Sequence, residues 1–223
     1  MKFIRVTRID DPLFTQLYEL LQRVFPADEV LAFKAWEGPL NDEGLRVCVA
    51  ASEGEVLGAT EYRYYPDLNV AMTDFTIIGR EGLGVGRFLY RMREADIAEW
   101  AERYGKTPLG MFAEIYDPYR AREHAFGGIK PMDPFVRREV LSHLGYKRLD
   151  FPYVHPSWKD SGEPVTELDL CVLPFDETIE AIPGELVATF LTEYYRILEN
   201  KPPEWHAMIH GLGKHESIRL LPI

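Results

Sequence analysis

Gly82-Leu83-Gly84-Val85-Gly86 joins two runs of different character, and its reading decides the fold. Before it, Val70 to Ile78 has the composition of a strand. After it, Arg87 to Tyr104 contains no proline or glycine and stops at Gly105, which predicts one long helix with a glycine C-cap. Glycines at such a junction let the backbone turn tightly and approach a ligand with no Cβ in the way. The helix beyond presents free N–H groups and the positive end of its dipole, a site suited to phosphate or pyrophosphate. A bare strand-to-helix turn is the plainer reading, but three alternating glycines at a helix start favour the anion site. Two nucleotide motifs fail on context. A P-loop needs Gly-Lys-Ser/Thr where Arg87-Phe88 stand, and a Rossmann fingerprint spaces its glycines Gly-x-Gly-x-x-Gly on an early βαβ unit.

Toward the N-terminus, Phe3 to Ile9 alternates as a first strand. Its scattered charges rule against the unbroken apolar core of a signal peptide. Asp11 offers an N-cap, Pro12 suits the first helical position, and Leu13, Leu17, Leu20 and Val24 predict an amphipathic helix over 12–25. A second short helix is expected near Asp28 to Glu37. Leu45 to Ala51, Val56 to Tyr65 and Val70 to Ile78 are strands with hairpin-length separators, so they are antiparallel neighbours.

Toward the C-terminus, Leu109 to Tyr116 is a fifth strand, followed by a loop from Asp117 to Pro134 and a helix over Val136 to Leu144 ended by Gly145. Tyr146 to Val154 and Thr166 to Leu173 are two further strands. In the tail, Leu186, Phe190, Tyr194 and Leu198 predict a helix over Glu185 to Leu198. The expected class is α+β, with a mixed, mostly antiparallel central sheet flanked by helices. Residues 1–174 form the main domain, and 175–223 a helical extension packed on that core or on a second subunit of a homodimer.

Composition narrows the function. Hydrophobic residues at 46% and charged residues at 27% are those of a globular chain with a real core. A net charge of −11 argues against a nucleic-acid partner, which would require clustered Lys and Arg. No apolar run is long enough to span a bilayer. Cys48 and Cys171 sit in strand-like runs without metal-ligand spacing, as buried free thiols of a reducing compartment would, and the expected location is cytoplasmic.

Thr76 through Leu89, read with its glycines, resembles the acyl-CoA signature of the GNAT N-acetyltransferases, Gln/Arg-x-x-Gly-x-Gly/Ala, with Gly84 and Gly86 on the two small positions. Leu141-Ser142-His143-Leu144-Gly145-Tyr146 is similar to that family's helix-end Leu-Gly-Phe/Tyr, and the order of elements from Met1 to about Leu173 matches it. The resemblance implies transfer of acetyl from acetyl-CoA, or of another acyl group from its CoA ester, to a primary amine of a small molecule or peptide, by direct attack on the thioester. It also implies that the backbone N–H groups of Leu83, Gly84, Val85, Gly86, Arg87 and Phe88 hold the CoA pyrophosphate. The pantetheine arm would pair like an extra strand with Phe75, Thr76, Ile77 and Ile78, where strands four and five splay apart. Two positions depart from the family. Glu81 stands where Gln or Arg is usual, and Leu141 stands where many relatives carry a Tyr that protonates the leaving thiolate. Leu141 supports an alternative, a catalytically silent sensor that binds acyl-CoA. A partner-binding protein in which the glycine loop is only a turn is the third reading.

Acylation of an ammonium group needs a base. Glu114 leads, because Gly110, Phe112, Glu114 and Tyr116 share one strand face, and a carboxylate between aromatics has a raised pKa. A structural ion pair or an exposed strand carboxylate is the competing reading. Glu61 and Asp74 are the reserves. Arg80 and Arg87 either reach a phosphate or are solvated. The insert over 117–134, with Tyr119, Arg120, Arg122, Glu123, His124 and Phe126-Gly127-Gly128, is expected to shape the acceptor pocket, with Trp158 closing its other side. His206 and His210 lack the Glu of His-Glu-x-x-His and a third ligand, so no metal is expected; His124, His143, His155 and His215 are assigned surface or packing roles.

Overall fold

Asp11 starts the first helix as its side chain predicts: its Oδ1 accepts the Leu13 N–H at 2.8 Å, and Pro12 follows at the first helical position. The computed structural model describes residues 1–25, 30–120, 134–157 and 162–223. The chain divides into two compact units, one over Met1–Leu109 and one over the described residues of 110–223.

In the first unit the elements are β1 (Lys2–Arg5), α1 (Pro12–Val24), a 3-10 turn (Phe33–Trp36), α2 (Glu37–Asn41), β2 (Leu45–Ser52), β3 (Glu55–Tyr65), β4 (Val70–Ile78) and α3 (Val85–Glu102). The four strands pair in chain order, each antiparallel to the next. Alternation along the strands gives the sheet two apolar faces. Phe14, Leu17, Leu20 and Leu21 of α1 pack with Val47, Val49, Ala59 and Ile77. Val85 and Leu89 of α3 pack with Ala50 and Leu57 on the other face. Gly58 lets α3 come this close, since a Cβ there would stand 2.7 Å from both Val85 Cγ1 and Ile77 O.

The β3–β4 ladder slips by one residue. Glu61 pairs with Phe75 but Tyr62 pairs with Thr73, which makes Asp74 the extra residue of a bulge. Without it, Thr73 and Thr76, three apart, would face opposite ways. With it, both turn to the buried Arg93 of α3, whose Nη1 donates to the hydroxyls of Thr60, Thr73 and Thr76 at 2.9, 2.8 and 2.6 Å.

In the second unit the elements are β5 (Gly110–Tyr116), α4 (Pro134–His143), β6 (Lys147–Leu149), β7 (Leu168–Pro174), β8 (Ala181–Ile182), α5 (Gly184–Tyr194), α6 (Pro203–Leu212) and β9 (Ile218–Pro222). β7 pairs with β5 and β6, and β9 with β6 and β8, all antiparallel. Phe112 of β5 stacks on Phe190 of α5 with ring centres 4.4 Å apart, so α5 covers the strand face that carries Glu114. The class read from the sequence, α+β with a mostly antiparallel sheet flanked by helices, is the one found.

Several boundaries move. The first strand ends at Arg5 rather than Ile9. The second helix lies at Phe33–Trp36 and Glu37–Asn41, and Asp28 is outside the described residues. The strand expected to reach Val154 stops at Leu149, because the Phe151 N–H turns back to Leu149 O at 3.0 Å and Pro152 has no N–H to offer. The tail is not helical alone: it adds β8 and β9. Its helix ends at Tyr194, and the buried side is Val187, Phe190 and Leu191, with Tyr195 just beyond. Leu186 and Tyr194 of the expected stripe are only half-buried. A strict four-residue step overshoots the 3.6-residue turn, and the true stripe alternates steps of three and four. No described helix is long and apolar enough to cross a membrane.

Candidate active site

The glycine loop ends in the conformation that glycine permits. Gly82 and Gly84 have φ of 79° and 68°, the left-handed region. Among the described residues a Cβ on Gly84 would meet nothing within 4 Å, so backbone geometry rather than crowding explains that glycine. At Gly86 a Cβ would lie 3.0 Å from Ile78 Cδ1. No side chain caps α3, and its first helical bond runs from the Phe88 N–H to Gly84 O at 3.0 Å. The Val85, Gly86 and Arg87 N–H groups therefore lie ahead of the helical ladder, where an anion can accept them. Leu83 and Arg87 are exposed. Arg80 pairs with Glu55 at 3.2 Å, both well solvated, so this contact contributes little.

Glu114 lies in a built polar centre of the second unit. β5 turns its side chain onto the face covered by α5. Its Oε1 accepts hydrogen bonds from the Tyr153 and Tyr195 hydroxyls, which are themselves 2.8 Å apart. His155 Nε2 stands 3.6 Å from Oε2, an ion-pair distance once the ring is protonated. Tyr153 and His155 fall two apart in the extended segment after β6, which a backbone pairing of His155 with Val165 holds in place. Tyr195 comes from the end of α5, where its N–H bonds Leu191 O at 3.0 Å, and Trp205 of α6 meets its ring edge-on at 6.3 Å.

Burial pushes the Glu114 carboxyl up to about 7, against the pull of its two tyrosine donors. Burial and the Glu114 charge together raise both tyrosines well above the usual range, so their hydroxyls remain donors. A carboxyl poised near 7 exchanges its proton at neutral pH, which is what a general base requires. It also makes stability depend on pH. The folded state holds this proton up to about 7, whereas an unfolded glutamate releases it near 4.5. The stabilisation is therefore complete below pH of about 4.5 and is lost as pH rises through about 7, a difference of roughly 3 kcal/mol. Urea unfolding of wild type and Glu114→Gln from pH 4 to 8 should show the wild type losing about that much relative to the variant. Parallel curves would mean that Glu114 titrates as an ordinary carboxylate.

The reserve acids are brought together with each other. Glu61 is half-buried beside Asp74, and burial and that second carboxylate raise its pKa well above the usual range. Leu141 is 8% exposed and packs as a core residue with no proton to give. His155, expected in a surface or packing role, belongs instead to the Glu114 centre, and Tyr153 and Tyr195 join it there. The Tyr153-x-His155 spacing is a local signal that was open to reading. Nothing local marks Tyr195, 81 residues from Glu114. Residues 121–133 of the insert, with Arg122, Glu123, His124 and Phe126-Gly127-Gly128, and Trp158 lie outside the described residues. Among the described residues no group of His, Cys, Asp and Glu is arranged to hold a metal.

No protein-family model matches the chain, and no curated protein does. Solved structures do. A Bacteroides thetaiotaomicron protein assigned to the GNAT family of acetyltransferases is 12% identical, with 89% of this chain and 97% of that one covered and a TM-score of 0.57. An aminoglycoside 6'-N-acetyltransferase complexed with coenzyme A is 16% identical over 77% and 95%, with a TM-score of 0.53. The ribosomal-protein-S18-alanine N-acetyltransferase of Escherichia coli is 11% identical over 78% and 95%, with a TM-score of 0.50. At these identities the likeness is one of fold.

Proposed function

From the GNAT fold that the chain carries, we propose an acyl-CoA-dependent N-acyltransferase that moves acetyl from acetyl-CoA to the primary amine of a small molecule or peptide. The observation that carries this reading is the uncapped start of α3 behind a left-handed Gly84, an anion cradle open to solvent. The N–H groups from Leu83 to Arg87 hold the CoA pyrophosphate, that of Phe88 being spent on Gly84 O, and Phe75 to Ile78 of β4 hold the pantetheine arm. Glu114 accepts the proton of the substrate ammonium, and Tyr153 and Tyr195 orient it. The amine nitrogen then forms a bond to the thioester carbon, the C–S bond breaks, and the second proton of the nitrogen passes through water to the departing thiolate, since Leu141 supplies none. A cytoplasmic location belongs to the same proposal, with the free buried thiols Cys48 and Cys171 in its support.

Calorimetric titration with CoA tests the cradle. Gly84→Val should remain folded, because its side chain meets open space, yet lose CoA affinity about tenfold or more as the left-handed turn is denied to a β-branched residue. A folded variant with unchanged affinity removes the pyrophosphate from this loop. Thiol release from acetyl-CoA across a panel of primary amines tests the chemistry. CoA binding without thiol release for any amine would establish the silent sensor that Leu141 favours.

A further inference from the structure

The second unit carries another polar centre, on the sheet face that Glu114 does not use. In the β5–β7 ladder Glu114 stands opposite Leu170, while Ile115 stands opposite Asp169; Arg148 of β6 stands opposite Cys171. Because side chains alternate, Asp169 and Arg148 share the face away from Glu114. There a cleft of about 460 Å³ is walled by Arg120, Arg138 and Arg148, by three aspartates, and by Phe151 and Pro152.

Among the described residues, the partners of these charges leave one cation over. Asp169, only 5% exposed, accepts Arg120 on Oδ1 and Arg138 on Oδ2, the latter at 3.2 and 3.3 Å. Arg120 is also held by Asp117 at 2.8 Å and by the Thr166 and Leu168 carbonyls at 2.8 and 3.3 Å. Asp150 takes Arg219 at 2.6 Å. Arg148 is half-buried, and among the described residues it meets neither a carboxylate nor a hydrogen-bond acceptor. Three guanidinium groups and three carboxylates line the cleft, and because Arg219 from outside the lining takes Asp150, the surplus charge among the described residues sits on the planar fork of Arg148. Such a fork matches a planar two-oxygen acceptor.

We propose that this cleft binds a small organic acid, its carboxylate paired with Arg148 and its hydrocarbon part laid along Phe151 and Pro152. Among the described residues, one monoanion balances the charge of Arg148. A dianionic phosphate would overshoot it and face the repulsion of Asp117 and Asp150. The buried Asp169 holds Arg138 and Arg120 as the rigid wall of the site. The site is separate from the acyl-transfer reading and does not rest on it.

Benzoate, benzamide and phenyl phosphate share a ring and differ in charge, so titrating all three by calorimetry tests the head group. Benzoate should bind and benzamide should not. Arg148→Met should weaken benzoate about tenfold or more, and Arg148→Lys should restore only part of it, because lysine keeps the charge and loses the fork. Circular dichroism confirms that each variant is folded, and Arg148→Lys carries the test if the Met variant is not. Failure of benzoate to bind, or equal binding by wild type and both variants, overturns the site. Tighter binding of phenyl phosphate than of benzoate overturns the carboxylate and assigns a phosphate in its place.

Discussion

Glu114→Gln lowers the acyl-transfer rate at neutral pH by about a hundredfold to ten-thousandfold and leaves CoA affinity nearly unchanged; that is the expected result if Glu114 is the base. The substitution is mild for the fold. Gln keeps an oxygen for the Tyr153 and Tyr195 hydroxyls and removes only the ability to take up a proton. The pH profile separates this loss from a structural one. Wild-type activity should climb with pH through about 7 as Glu114 ionises. The variant should recover only at higher pH, where more of the amine is already neutral. Glu61→Gln and Asp74→Asn should have smaller effects. Near-normal turnover in Glu114→Gln with collapse in either of the others would move the base to β3 or β4. Full activity in all three would leave proton removal to water.

Truncation after Pro174 should abolish the fold of the second unit. The removed segment holds Ile182, Val187, Phe190, Leu191, Tyr195 and Trp205, all 3% exposed or less. Burying a large apolar side chain is worth about 1.5–3 kcal/mol, so these six together approach or exceed roughly 10 kcal/mol, the size of a whole domain's stability. The cut also strips β9 from β6, uncovers Phe112 of β5 and takes Tyr195 from Glu114. Expression of residues 1–174 should give aggregated or unfolded protein by circular dichroism and gel filtration. A soluble, monomeric fragment as stable as the full chain would contradict this account.

Within the sequence itself lay everything set by near neighbours. Asp11-Pro12 started α1, two short polar links set the order of β2, β3 and β4, and the glycine loop marked the start of α3. Alternation on β5 was enough to place Glu114 with the aromatic face. Each of these depends on dihedral preference or on a period of two or 3.6, which a few adjacent residues carry. The tertiary structure decided the rest. The bulge at Asp74 is a property of pairing between two strands, and neither strand shows it alone. β8 and β9 span two and five residues, too few for a period to declare itself, and exist because they pair with each other and β9 finds the edge of β6. Tyr195 reaches Glu114 across 81 residues, and Arg148 and Asp169 share one face only because β6 and β7 lie in register. Contacts of that range are made by the packed chain, so no local pattern of residues announces them.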